Sequence, residues 1–118
     1  VLATGKPVVL YLMNGRPISL GNLGEQIPAI LTGHYNGQQT GNAAADILFG
    51  KANPSGKLTV SWPRSVGHQP AHYNQHSSGN VFDYVDSPLK SVYPFGHGLS
   101  YTTFEYGSPR LSQTTKIR

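Results

Sequence analysis

Near its start the chain carries an unbroken apolar run, Val8, Val9, Leu10, Tyr11, Leu12 and Met13. Successive side chains of a strand point to opposite faces, so a strand with one wet face alternates apolar and polar residues. A run without alternation requires cover on both faces, which is the condition of a strand in a parallel sheet flanked by helices. The flanks support a strand. Val1 to Thr4 reads as the tail of a helix, Gly5 suits the position just past a helix end, and Pro7 forbids continuation. Asn14-Gly15-Arg16-Pro17 then reads as a turn.

The rest of the chain extends that pattern. Residues 18–26 carry glycines that dilute any helix. Ala29, Ile30 and Leu31 form a second short apolar run, extending toward His34 and Tyr35 until Asn36-Gly37 breaks it. The clearest helix follows, with Thr40 or Asn42 as N-cap, Ala43, Ala44, Ile47, Leu48 and Phe49 as the apolar face, and Gly50 as the stop. After the turn Asn53-Pro54-Ser55-Gly56, Leu58, Val60 and Trp62 alternate with Thr59 and Ser61, predicting a half-buried strand that Pro63 ends. Residues 63–98 hold few aliphatics and read as a long loop region, functional or packed on a neighbour. Residues 101–106 alternate again and predict a last strand, and 107–118 read as a linker or the start of another domain. The order strand, helix-like segment, strand, helix, strand predicts an α/β layered domain with a mostly parallel sheet.

Composition narrows the function classes. At 118 residues the chain is one domain at most, and 37% hydrophobic content is low for an independent core of that size. Charged residues make up 12%, against roughly 25% in an average soluble protein. That balance suits an extracellular or carbohydrate-facing protein better than a highly charged cytosolic one. The net charge of +4 comes from a shortage of acids, and the cations are scattered, with no two adjacent. A nucleic-acid binder would gather them on one face, so no nucleic-acid partner is expected. There are no cysteines, which excludes disulfides, thiol catalysis and thiolate metal sites in this stretch. No apolar run approaches the length of a membrane span, and no membrane partner is expected. Val1 is not an initiator Met, and the chain is expected to start inside something longer or to be processed.

Six segments in register carry a resemblance. They are Gly5-Lys6-Pro7-Val8-Val9-Leu10 with Asn14-Gly15-Arg16-Pro17; Gly41-Asn42-Ala43; Ala45-Asp46-Ile47-Leu48-Phe49-Gly50; Asn53-Pro54-Ser55-Gly56-Lys57-Leu58; Trp62-Pro63-Arg64-Ser65-Val66-Gly67; and Tyr93-Pro94-Phe95-Gly96-His97-Gly98-Leu99-Ser100-Tyr101-Thr102-Thr103-Phe104. Together they resemble the C-terminal α/β domain of glycoside hydrolase family 3. The resemblance implies a three-layer α/β sandwich, of which residues 1–106 are the C-terminal half, and a following fibronectin type III-like β domain toward which 107–118 lead. It implies a parent that is an exo-acting retaining β-glycosidase, β-glucosidase first and β-xylosidase next, secreted or periplasmic and needing no cofactor. It also implies that the nucleophile Asp and the acid/base Glu both fall before Val1, so no catalytic, cofactor or metal residue is assigned here. The chain departs from the pattern where many members have Pro-Gly-x-Glu-Gly-Gly before the helix. Here Gln39 stands at the Glu position. His68 and His72 stand where members have Gln and Tyr.

The residues themselves agree with that assignment. Retaining chemistry needs two carboxyl groups about 5 Å apart in a cleft. The five acids are Glu25, Asp46, Asp83, Asp86 and Glu105. The close pair Asp83/Asp86 flanks Tyr84 in the loop region, where Asp serves turns. His68, His72 and His76 recur every four residues, but Pro70 and Asn74 argue against the helix that would align them on a metal. The glycine-rich stretches fit neither phosphate-loop pattern. Trp62, Tyr73, Phe82, Tyr84 and Tyr93 have rings suited to sugar faces, and for Trp62 packing is the expected role. Pro94-Phe95-Gly96-His97-Gly98 reads as a tight turn. A free-standing carbohydrate-binding or interaction module is the alternative function. It requires a core that is coherent without further strands.

Overall fold

A computed structural model describes residues 1–76 and 83–112. Two strands, β1 (Val9–Leu12) and β2 (Ala29–Thr32), pair in parallel with Val9 opposite Ala29 and Leu12 opposite Thr32. Parallel neighbours cannot be joined by a hairpin, and residues 13–28 supply the crossover. Within it lies a single helical turn, α1 (Leu23–Gln26). It ends because Pro28 drives Ile27 into extended backbone, φ −87° and ψ 120°. At the chain start, Leu2–Thr4 form a 3-10 turn closed by Gly5 at φ 67°, the left-handed conformation a glycine takes without strain.

The main helix is α2 (Thr40–Leu48). Its N-cap is Gln39 rather than Thr40 or Asn42, and no side chain caps it. The turn before it explains the difference. Thr40 N–H reaches back to Gly37 O at 3.1 Å, which recruits Thr40 as the first helical residue. Asn42 then turns its amide onto Gln39 Oε1 at 2.6 Å. At the other end Gly50, at φ 75°, breaks the helix as expected.

Two expected strands do not form. Residues 58–62 pair with 92–97 only in pieces. Leu58 N–H bonds His97 O at 2.8 Å and Gly96 N–H bonds Leu58 O at 2.7 Å, while Trp62 and Tyr93 form an isolated antiparallel bridge. The ladder fails between them because Pro94 has no N–H to give and Phe95 N–H goes to Ser61 Oγ at 3.3 Å. In residues 101–106 the alternation is present, but among the described residues no partner strand is. Tyr101 N–H bonds Asn53 Oδ1 at 2.9 Å, and Phe104 and Tyr106 lie in solvent.

The expectation that β1 is covered on both faces is also not met within this chain, since Val9 is 50% exposed and the other β1 residues are only half-buried. The one large apolar side chain buried among the described residues is Trp62, at 3% exposure. The radius of gyration is 18.9 Å, against about 13.5 Å for a compact chain of this length.

Candidate functional site

Among the described residues, two concavities stand out. The first, about 510 Å³, opens beyond the carboxyl ends of β1 and β2 and is bounded by Tyr11, Leu31, Gly33, Asn36, Ala43 and Ile47 among others. That end of a parallel sheet is where α/β folds place ligands. Tyr11 Oη accepts a hydrogen bond from Asn36 Nδ2 at 2.7 Å, closing one wall. A Cβ added at Gly33 would strike the Asn36 amide and come within 2.6 Å of Tyr11 Oη, so this side-chain pair would have to shift. No carboxyl, imidazole or amine lines this groove, so it offers shape and apolar surface but no side chain to move a proton at neutral pH.

The second is a polar cleft of about 420 Å³ between three segments: Gly21, Asn22 and Glu25 around α1; Arg64, Ser65, Gly67 and His68; and Tyr84 to Pro88 with Val92, of which Tyr84, Asp86, Ser87 and Pro88 form the rim. Arg64 organises it. Its guanidinium lies 3.7 Å from Glu25 Oε1, its Nε donates to Lys90 O at 2.8 Å, and its carbonyl accepts from Ser19 Oγ at 2.7 Å. His68, in the 3-10 turn Val66–His68, is 9% exposed, and its Nδ1 accepts the Arg64 N–H at 3.3 Å. That bond leaves Nε2 to carry the proton of the neutral ring. Next to the lining residue Val92, Tyr93 donates its hydroxyl to Gly24 O at 3.1 Å and ties that segment to α1.

The sequence-predicted residues distribute as follows. Asp83 and Asp86 part ways: Asp83 Oδ1 accepts Leu89 N–H at 2.7 Å, a turn role, whereas Asp86 lines the polar cleft. Asp46 lies 3.7 Å from Lys51 on the surface. Glu105 is exposed. Of the histidine series, His68 is buried and His72 and His76 are exposed. Among the described residues, no three His, Cys, Asp or Glu are grouped to hold a metal. Trp62 packs edge-on against Tyr93 at 6.3 Å, Tyr73 stacks on Phe95 at 4.3 Å, and Tyr84 is 53% exposed. Phe82 lies outside the described residues. Sequence reasoning missed Arg64 as an organiser. Its partners stand up to 45 positions away, and only its place after Trp62-Pro63 drew notice.

The family described as glycosyl hydrolase family 3 C-terminal domain matches residues 1–101. The chain belongs to this family. It is 47% identical over 116 residues to a β-xylosidase of Formosa agariphila and 47% identical over 126 residues to a periplasmic β-glucosidase of Salmonella typhimurium, covering 95% and 98% of this chain. Among solved structures it resembles a β-glucosidase from Erythrobacter marinus at TM-score 0.84 and 52% identity, covering 92% of this chain and 14% of that one. It also resembles the β-glucosidase of Listeria innocua at TM-score 0.82 and 40% identity, covering 88% and 16%. The chain spans 16% of the length of both curated relatives.

Two of the family 3 motifs form a clasp, while Trp62-Pro63-Arg64-Ser65-Val66-Gly67 supplies Arg64, Ser65 and Gly67 to the polar cleft. Asn53 Nδ2 donates to Ser100 Oγ at 2.9 Å, Asn53 Oδ1 accepts Tyr101 N–H, and Tyr101 Oη donates to Ile47 O at 2.8 Å. Lys57 Nζ reaches Gly98 O at 2.5 Å, and Gly96 turns the chain at φ 80°. The Asn-Pro-Ser-Gly segment and the Pro-Phe-Gly-His-Gly turn thus bind each other.

Proposed function

We propose that this chain is the second half of the α/β sandwich domain of an exo-acting retaining β-glycosidase, a β-glucosidase first and a β-xylosidase next, and that its own role is structural. Residues 1–106 complete the sheet, and 107–118 lead toward a fibronectin type III-like β domain. The observation that carries this reading is the state of the acids. Retaining hydrolysis needs a carboxylate and a carboxylic acid facing one bond, the acid kept protonated by an apolar enclosure. Asp83 serves a turn, Asp46 lies beside Lys51, and the Glu25 side chain is 75% exposed beside the Arg64 guanidinium. Asp86 stands exposed on the rim of the polar cleft and Glu105 is exposed, so none of the five has such an enclosure. The nucleophile Asp and the acid/base Glu therefore belong to the polypeptide preceding Val1, in a barrel domain and the first half of the sandwich. The half-exposed faces of β1 and β2 are the surface those parts cover.

The substrate is a terminal β-linked glucosyl or xylosyl unit, the classes that name the relatives. A secreted or periplasmic location follows the periplasmic relative, and among the described residues no helix is long and apolar enough to cross a membrane. No cofactor is required, because two carboxyl groups suffice for the chemistry. The test compares the full-length gene product with the 118-residue chain on aryl β-glucosides and β-xylosides. The full-length protein is expected to turn over and the isolated chain to show none. Turnover by the isolated chain would overturn the placement of both carboxyl groups.

A further inference from the structure

We infer that the polar cleft between α1, the Arg64–His68 turn and the Tyr84–Pro88 rim binds a neutral saccharide ring. The inference rests on the glycosidase reading for its ligand class, and on the cleft for the site. A sugar hydroxyl both donates and accepts, so a site that grips a ring must offer both kinds of partner in one small space. This cleft does. Glu25 and Asp86 are carboxylates that only accept, while the Arg64 guanidinium and the His68 Nε2–H only donate.

His68 is the most telling of these. It is 9% exposed and lines the cleft, its Nδ1 is committed to Arg64 N–H, and its Nε2 has no hydrogen-bond partner among the described residues. A ring N–H that lines a cleft without a partner in the protein is available to an acceptor bound there. Tyr84 adds an exposed aromatic ring on the rim and Val92 an apolar patch, both fitted to the C–H face of a pyranose. The volume, about 420 Å³, falls in the range of small-ligand sites.

Charge decides against other small ligands. Two carboxylates stand against one guanidinium, so a phosphate, sulfate or uronate meets a net negative wall. A divalent cation would find Arg64 among its neighbours and too few ligating groups.

The experiment uses the full-length protein. Equilibrium dialysis with radiolabelled glucose and xylose counts the equivalents bound to wild type, Asp86→Asn and Tyr84→Ala. Both positions are exposed, so both variants are expected to fold, and melting temperature checks this. Loss of a hydrogen bond to a charged group predicts that Asp86→Asn weakens one class of sites roughly tenfold, and Tyr84→Ala weakens the same class. Equal equivalents and equal affinity in wild type and both folded variants would overturn the inference. So would displacement of the sugar by millimolar phosphate at the Asp86-dependent site. Failure of the glycosidase reading shows separately, as absent hydrolysis of aryl glycosides by the wild-type protein.

Discussion

Removed from any neighbour, the 118-residue chain is expected to show no cooperative unfolding transition. Its accessible surface is 10260 Å² for a mass of 12.7 kDa. A folded monomer of that mass exposes roughly 6,200 Å², and its unfolded chain roughly 18,400 Å². The observed conformation therefore buries about 8,000 Å² where a compact domain buries about 12,000 Å², or about two-thirds of the usual amount. Native stability is a small residue of large opposing terms, about 5–15 kcal/mol in all, and backbone entropy is lost per ordered residue whether or not its surface is covered. A shortfall of one-third in burial exceeds any such margin. The assay is urea titration followed by fluorescence of Trp62, the chain's single tryptophan, with near-ultraviolet circular dichroism in parallel. The expected result is a shallow, non-coincident drift in both signals. A sharp coincident transition, with a slope in the usual range of about 1–3 kcal/mol per molar urea, would refute the reasoning. Stabilisation of such a transition by glucose would favour a free-standing sugar-binding module.

In the full-length protein, Trp62→Ala should cost about 3–5 kcal/mol, since Trp62 is 3% exposed; differential scanning calorimetry reads it as a lowered melting temperature. Trp62→Phe should cost clearly less, because the buried Nε1–H has no acceptor among the described residues and its loss breaks no bond. Tyr93→Phe removes the hydroxyl that donates to Gly24 O at 3.1 Å and should cost about 1 kcal/mol, measured as a shift in urea midpoint at unchanged slope. Gly98→Ala should destabilise more than a typical surface change, because the new Cβ would sit 2.7 Å from Gly56 O, a backbone atom that cannot swing away; the same melt checks it against Gly37→Ala, whose Cβ meets nothing within 4 Å.

The elements legible in the sequence are those whose signal is local. The apolar run at Val8–Met13 and the punctuation of Gly5 and Gly50 encode β1 and two chain reversals in a few adjacent residues, and the structure places them accordingly. The helix Thr40–Leu48 was equally plain, though its cap was not, because Gln39 becomes the cap through a turn at Gly37 rather than through its own chemistry. Residues 58–62 and 101–106 alternate well enough to predict strands, but a strand exists only with a partner, and Pro94 and Ser61 together interrupt the one available. The polar cleft was illegible for a related reason. Glu25, Arg64, His68 and Asp86 come from three separated segments, and nothing in their spacing announces that a crossover loop, a 3-10 turn and a surface turn converge.

Two of the motifs in this chain close a long loop. Asn53 and Ser100 stand 47 positions apart, and drawing the ends of a loop that long together costs roughly 3–4 kcal/mol of chain entropy. A single hydrogen bond nets about 1 kcal/mol and cannot hold it. The clasp uses several at once: Asn53 to Ser100 and Tyr101, Tyr101 to Ile47, Lys57 to Gly98, and the Leu58 pairing with Gly96 and His97. Summed, they are of the order the closure demands. Each needs a specific residue, an Asn with both amide atoms in use, a glycine where a Cβ would meet backbone, a glycine at positive φ. That is why Asn53-Pro54-Ser55-Gly56 and Pro94-Phe95-Gly96-His97-Gly98 read so distinctly. What the closed loop presents is the segment between them, and that segment supplies Arg64, His68, Tyr84 and Asp86 to the polar cleft.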